Sequence, residues 1–275
     1  MRSLISSSSR EDEEGLIESQ GQRVRYRVSG DGPPLLMIHG VGAPLEFWRP
    51  LETHLDDFRT VMVDPPGSGR SSTPRGSFGM RQFAAVLADV LGHLGLDSAN
   101  VLGLSLGGMM AQELARRSPQ RVEKLVLAST TCGLGSVPVH PRTWAAIASP
   151  ARFYSQRHYR KIAPIIYGER IVDDPALLDE YLAIRARFRP SVRGHYLQLR
   201  AATTWSSRPW LRKLEMPVLV ISGSDDRLVP LANARMIAFA VKDGRLEIID
   251  GGSHACLLQE AARTSQLIRR FVQGN

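Results

Sequence analysis

The strongest constraint on this chain is an alternation of short apolar runs with longer amphipathic stretches. Leu35 to Ile38, Thr60 to Asp64, Asn100 to Leu104, Lys124 to Ala128, Val218 to Ser222 and Arg245 to Ile249 read as buried strands. Between them, Met80 to Leu94, Gly107 to Arg117, Leu231 to Ala240 and Cys256 to Phe271 carry apolar residues at helical spacing. Such alternation calls for parallel βαβ units, whose helices cover both faces of a sheet. The expected class is therefore α/β, with a mostly parallel sheet. Gln22 to Ser29 alternates arginine with apolar residues and predicts an exposed antiparallel strand or hairpin at its margin. With 275 residues, 43% of them apolar, the chain has material for a sizeable core.

The alternation breaks between about Gly133 and Lys213. No strand pattern is visible there, seven prolines cut the segment into short pieces, and ten aromatic residues lie in it: Trp144, Phe153, Tyr154, Tyr159, Tyr167, Tyr181, Phe188, Tyr196, Trp205 and Trp210. Because strands and helices resume at Met216, the segment reads as a helical lid inserted between two strands rather than a second domain. The expected division is a disordered tail over 1–20, a first core part over 21–132, the lid over 133–213 and a second core part over 214–275. The tail, MRSLISSSSREDEEG, is Ser-rich and then acidic, with too few apolar residues for an export signal. No apolar run approaches membrane-spanning length. Two cysteines, Cys132 and Cys256, without CxxC spacing point to a cytoplasmic protein with free thiols. No cysteine or histidine cluster has zinc spacing, so no metal is expected.

The net charge of +8 is unevenly spread. From Arg142 to Lys213 there are 14 Lys or Arg against 5 Asp or Glu. The plain reading is a solvated, arginine-rich surface. The sharper one is a face that meets an anionic partner such as a granule or lipid coat. Arginines such as Arg185 and Arg189 should then point outwards, since a bare buried charge costs several kcal/mol. Nucleic acid is disfavoured, because no recognition motif accompanies the charge.

The chemistry is concentrated in a few motifs. Gly103-Leu104-Ser105-Leu106-Gly107 is a G-x-S-x-G sequence between a strand pattern and a helix pattern. On so sharp a turn, bulky side chains two residues either side of the serine would clash, and glycine avoids this. A serine hydroxyl needs a base to become nucleophilic. His254 follows a late strand and the turn Gly251-Gly252-Ser253, whereas His93 lies in a helix pattern and His158 and His195 in the insertion. The acid should follow the strand VLVIS, where Asp225 and Asp226 both fit by position. Oxyanion donors are expected at the backbone of Leu106 and, from the loop His39-Gly40-Val41-Gly42, at Val41. His39 reads as a loop-shaping residue. Asp64-Pro65-Pro66-Gly67-Ser68-Gly69-Arg70-Ser71 lacks the Gly-Lys-Ser/Thr of a phosphate loop and reads as a structural turn.

Together, HGVG, DPPGSGRS, GLSLGG, GSDDRLVP and DGGSH resemble the α/β-hydrolase superfamily from Leu35 to Phe271. The resemblance implies the α/β-hydrolase fold with a helical lid, and a triad of Ser105, Asp226 and His254. Asp226 is preferred over Asp225 because it falls in a G-x-x-D-x-x-x-P pattern common there. Within the insertion, ASPARFYSQRHYRKIAPIIYGE and GHYLQLRAATTWSSRPWLRKL resemble the lid of intracellular depolymerases of medium-chain polyhydroxyalkanoates, as PGSGRSSTPR resembles their loop. That implies a small-molecule or oligomeric ester of a 3-hydroxy acid as substrate, and no cofactor. The chain departs from those depolymerases at His39, at Leu106 and at the extra Ser253. The alternatives are a carbon–carbon bond hydrolase of meta-cleavage products, using the same triad, and a non-catalytic ligand-binding protein on the same scaffold. Dehalogenases and epoxide hydrolases are disfavoured, since they place Asp where Ser105 stands.

Overall fold

The computed structural model describes residues 13–168, 171 and 175–274. Eight strands form one sheet in the order β1-β2-β4-β3-β5-β6-β7-β8. They are β1 (Glu13–Ser19), β2 (Gln22–Ser29), β3 (Pro34–Ile38), β4 (Arg59–Val63), β5 (Ala99–Leu104), β6 (Val122–Ala128), β7 (Val218–Gly223) and β8 (Gly244–Ile249). β2 runs antiparallel to both β1 and β4, and the pairs from β4 through to β8 are parallel. The sheet is thus mostly parallel, as the strand–helix alternation requires.

Both faces of the central strands are dry. On β3, Leu36 and Ile38 enter one core and Leu35 and Met37 the other. This period-2 division explains why the strand reads as a continuous apolar run. The first core is closed by α1 (Met80–His93) and α2 (Leu106–Arg117), through Phe83, Val86, Leu87, Val90, Met110 and Leu114. The second core is closed by Trp48, Leu51 and Leu55 and by a C-terminal helix. Each fully buried aliphatic or aromatic side chain contributes about 1.5–3 kcal/mol.

The insertion between β6 and β7 contains α3 (Pro141–Ala148), α4 (Ala151–Tyr154), α5 (Gln156–Tyr167), α6 (Pro175–Arg187) and α7 (Val192–Thr203). After β7 come α8 (Leu231–Ala240), β8, a short helix Cys256–Gln259 and α9 (Ala261–Gln273). α9 buries Ala261, Thr264, Leu267, Ile268 and Phe271, a 3.6-residue stripe.

Two boundaries differ from expectation. The segment expected to be one helix over Cys256 to Phe271 is divided at Glu260. The expected disordered tail includes β1, which pairs with β2 from Glu13↔Val28 to Ser19↔Gln22. Its acidic start looked like a solvated tail, but Glu14 is a counter-ion for Arg25 on β2, at 2.8 Å. Residues 1–12 of that tail lie outside the described residues.

Candidate active site

Ser105 occupies the turn between β5 and α2, with φ 56° and ψ −118°, a region that residues with a side chain seldom adopt. Such strain persists only where the surroundings enforce it. Here its N–H donates to Ala128 O at 2.9 Å, and its carbonyl accepts from Gly108 N, Met109 N and Thr130 Oγ1. The glycines of the motif are required by close approach. A Cβ on Gly107 would lie 1.9 Å from Ile38 O, and one on Gly103 would lie 2.5 Å from Gly107 O.

Asp226 comes from the loop after β7 and His254 from the loop after β8. His254 Nδ1 lies 2.9 Å from Asp226 Oδ2, and both side chains are buried. The other carboxylate oxygen of Asp226 accepts Leu228 N–H at 2.8 Å and Val229 N–H at 2.7 Å. Three interactions therefore fix this carboxylate. Asp225, its rival by position, is exposed, and its N–H donates to Gly252 O. The extra Ser253 is absorbed locally: its Oγ donates to Gln259 Oε1 at 2.6 Å.

The loop after β3 faces Ser105. A Cβ on Gly40 would lie only 3.2 Å from the Ser105 Cβ. The Gly40 carbonyl accepts from Ala43 N at 3.2 Å, so the trans peptide turns the Val41 N–H to the opposite side. The neighbouring peptide is clamped at both ends. Arg152 Nη2 donates to Val41 O at 3.3 Å, and Gly42 N–H donates to Gln198 Oε1 at 2.8 Å. Leu106 opens α2, where a helical N–H has no partner within its own helix. His39 shapes the loop: its Nδ1 accepts Gly40 N–H at 2.7 Å, and its ring packs on Trp48. Burial, reinforced by the charge of Arg185, pushes its pKa down to about 3, so it stays neutral.

Gln198, on α7 and fully buried, was not singled out from the sequence. Besides holding Gly42, its amide donates to Pro66 O at 3.0 Å and to Ser68 Oγ at 2.8 Å. It ties the insertion to two core loops. The second of these, Asp64 to Ser71, is a braced turn. Buried Asp64 accepts Leu45 N–H at 2.7 Å and Arg70 N–H at 2.9 Å, and Ser71 Oγ donates to Asp64 O at 2.6 Å.

Ser105 and His254 open on one cavity of about 60 Å³ beneath the insertion. Its apolar wall includes Phe47, Leu104, Ile166, Leu228 and Leu258. Of the ten aromatic residues in the insertion, Tyr167 and Tyr181 line it. Trp205 and Trp210 instead meet edge to face against the α2 side of the core, with Trp205 Nε1 donating to Glu113. Trp144, Tyr154 and Tyr196 are exposed. A larger hollow of about 850 Å³ lies beside β2, lined by Glu14, Arg25, Glu46 and Glu52 among others. It contains no nucleophile–base pair, and Arg25 is matched there by Glu14, Glu46 and Asp64. The smaller cavity is the candidate site because the chemistry is there.

The same cavity corrects the expectation for Arg185. That residue does not point outwards. It is 8% exposed and lines the cavity, as does Arg152 at 4%. Arg189 is exposed, as expected. The pattern that reveals Arg185 is present in α6: Leu178, Tyr181, Leu182 and Arg185 fall at i, i+3, i+4 and i+7, all buried. Both cysteines are buried and unpaired, and burial pushes the Cys256 thiol up to about 12, which makes it inert. Among the described residues, no group of three or more His, Cys, Asp or Glu is placed to hold a metal, and no helix is long and apolar enough to cross a membrane.

Comparison with known proteins agrees with this architecture. A family described as alpha/beta hydrolase fold matches residues 33–261. The chain is 38% identical to a poly(3-hydroxyalkanoate) depolymerase of Ectopseudomonas oleovorans over 261 residues, covering 94% of this chain and 91% of that one. It is 24% identical to a 2-hydroxy-6-oxo-6-phenylhexa-2,4-dienoate hydrolase of Comamonas testosteroni, over 91% of each. Among solved structures, an esterase from Exiguobacterium antarcticum superposes with a TM-score of 0.83 at 21% identity, covering 94% of this chain and 98% of that one. The chain belongs to the α/β-hydrolase family.

Proposed function

We propose that this protein is a serine hydrolase that cleaves carboxylic esters, with Ser105 as nucleophile, His254 as base and Asp226 as the group that orients it. The observation that carries the reading is the 2.9 Å Asp226–His254 contact, opening on the same cavity as a serine held at φ 56°. His254 takes the hydroxyl proton as Ser105 attacks the ester carbonyl. The N–H groups of Leu106 and Val41 hold the oxyanion. Collapse expels the alcohol, protonated by His254, and leaves an acyl-enzyme that a water activated by His254 hydrolyses. Asp226 keeps the proton on Nδ1 and stabilises the imidazolium. The reading needs no metal or organic cofactor.

The substrate class is an ester of a 3-hydroxy acid, in oligomeric or small-molecule form. The 38% identity to a poly(3-hydroxyalkanoate) depolymerase supports it, as does the apolar wall of the cavity. The helical insertion acts as a lid that selects the chain, and its exposed arginines face an anionic granule or lipid coat. The rival is carbon–carbon bond hydrolysis by the same triad, supported by a relative with that chemistry at lower identity.

A set of p-nitrophenyl esters of rising acyl length, a 3-hydroxyoctanoate oligomer and a coloured dienol substrate tests the reading. Esters should be turned over and the dienol spared. Ser105→Ala should lose on the order of 10⁶ in kcat and all labelling by a fluorophosphonate. Labelling at another serine, or turnover of the dienol alone, would refute the assignment.

A further inference from the structure

Two guanidinium groups stand in the wall of the cavity, and the described residues offer a counter-ion to neither. Arg152 comes from α4 and Arg185 from α6, and both are more than nine-tenths buried. Arg152 spends Nη2 on Val41 O, and its Nε has no partner. Arg185 spends Nη2 on Tyr167 Oη at 2.9 Å, and its Nε and Nη1 have no partner. Among the described residues, no carboxylate pairs with either. Aromatic faces surround them instead. The Arg185 guanidinium lies 4.6 Å from the Tyr159 ring centre and 5.2 Å from that of Phe47, and Arg152 lies 4.6 Å from that of Phe153.

Ring faces offset part of the cost of burying a cation, but leave its N–H donors unmatched. Nor does a tyrosinate neutralise the pair. Burial holds the Tyr159 hydroxyl well above its ordinary value, so it is protonated near neutrality. Burial and the neighbouring Arg185 charge push Arg152 down to about 9, which still leaves it charged at pH 7. Two adjacent buried cations with three free donor atoms are poised for an anion. Planar guanidinium groups match carboxylate and phosphate geometry, and of these the carboxylate is the ordinary terminus of a chain of carboxylic esters.

We propose that Arg152 and Arg185 form a carboxylate subsite of the catalytic cavity, so that the preferred ester carries a free carboxylate. The proposal rests on the ester-hydrolase reading and sharpens it. The carboxylate belongs either to the leaving alcohol, as at the end of a 3-hydroxy acid oligomer, or to the far end of the acyl chain. The two sources present the same group to the same donors.

Two matched pairs of esters separate these sources. One is 3-(hexanoyloxy)butanoate against its methyl ester, and the other is mono-p-nitrophenyl adipate against p-nitrophenyl hexanoate. Calorimetric titration of Ser105→Ala protein with each pair reads affinity without turnover. The charged member of at least one pair should bind about 10- to 100-fold more tightly, the size of one or two charge-assisted hydrogen bonds. Adding Arg185→Gln should bring that ratio towards one. Should this variant misfold, Arg185→Met keeps the stem against the aromatic rings and serves the same purpose. Equal affinity within both pairs, binding by neither member, or a ratio untouched by the Arg185 substitutions would overturn the subsite. Wild-type hydrolysis of the same four compounds is measured separately. If none is cleaved while the carboxylate preference stands, the ester reading fails and the anion subsite survives.

Discussion

Replacing Asp226 by Asn changes one atom, and the structure determines where that atom must go. The Oδ1 position receives two backbone N–H groups, from Leu228 at 2.8 Å and Val229 at 2.7 Å. An amide NH2 placed there would face two donors, at about 1–3 kcal/mol for each bond left unmade. The amide oxygen therefore takes that position and the NH2 group turns to His254. Nδ1 of His254 must then accept, which moves the ring proton to Nε2, the atom that has to receive the Ser105 proton. A triad with the wrong tautomer loses about 10⁴ in kcat, roughly 5–6 kcal/mol in the barrier. Asp225→Asn, at an exposed position, should keep most activity. The assay is kcat on p-nitrophenyl hexanoate, with thermal unfolding of both variants to confirm that the fold is retained. An Asp226→Asn protein that keeps more than about a tenth of wild-type kcat, an order of magnitude set against the tautomer effect, would refute the reasoning. So would an Asp225→Asn protein that loses activity in its place.

Gln198→Ala leaves the Gly42 N–H and the Pro66 carbonyl without their partner, so urea unfolding should show a loss of about 2–4 kcal/mol, with a fall in kcat as the loop of Val41 loosens. His39→Asn keeps an acceptor for Gly40 N–H but removes a group whose folded pKa is about 3 against 6.5 unfolded. Between those values the unfolded chain binds the extra proton, so wild-type stability falls as pH drops from about 6.5 towards 3. The Asn variant should lose about 2.5 kcal/mol less by pH 4.5 in denaturant titrations, and equal losses would show that His39 does not report on acid stability. Exposed Arg187 and Arg189 changed to Gln should weaken co-sedimentation with phospholipid-coated polyester particles, most at low salt. If wild type does not sediment at any salt, the basic insertion is only a solvated face. Native protein should resist thiol reagents until unfolded, since Cys132 and Cys256 are both buried. Rapid native labelling would contradict that.

The central strands were legible because each is a short apolar run buried on both faces, so β3 and β7 differ from their sequence assignments by one residue each. The motif singled out Ser105, and its place after the last strand singled out His254; the structure puts both on one cavity. Position along the loop left Asp225 and Asp226 equal and the G-x-x-D-x-x-x-P pattern preferred Asp226; the structure adds that Asp226 is the buried one and contacts His254, which position alone does not tell. β1 was missed because its glutamates read as a solvated tail when their partner Arg25 is out of view. Arg185 was missed for a related reason. Charge count treats every arginine alike, whereas the helical spacing with Leu178, Tyr181 and Leu182 puts this one indoors. Gln198 offered no linear signal, because its partners lie more than 100 residues away in sequence.

The position of Gln198 has a mechanical consequence. The side chain that fastens α7 over the site is the same one that holds Gly42, one peptide away from the donor proposed at Val41. If α7 must lift to admit a long chain, the loop proposed to steady the oxyanion is released with it. Access and competence would then exclude each other at a single amide. A substrate that fits under the seated helix meets a finished site, and one that props the helix open meets a slack one. Chain-length preference would then be set by whether α7 can return to its seat once the substrate is in place.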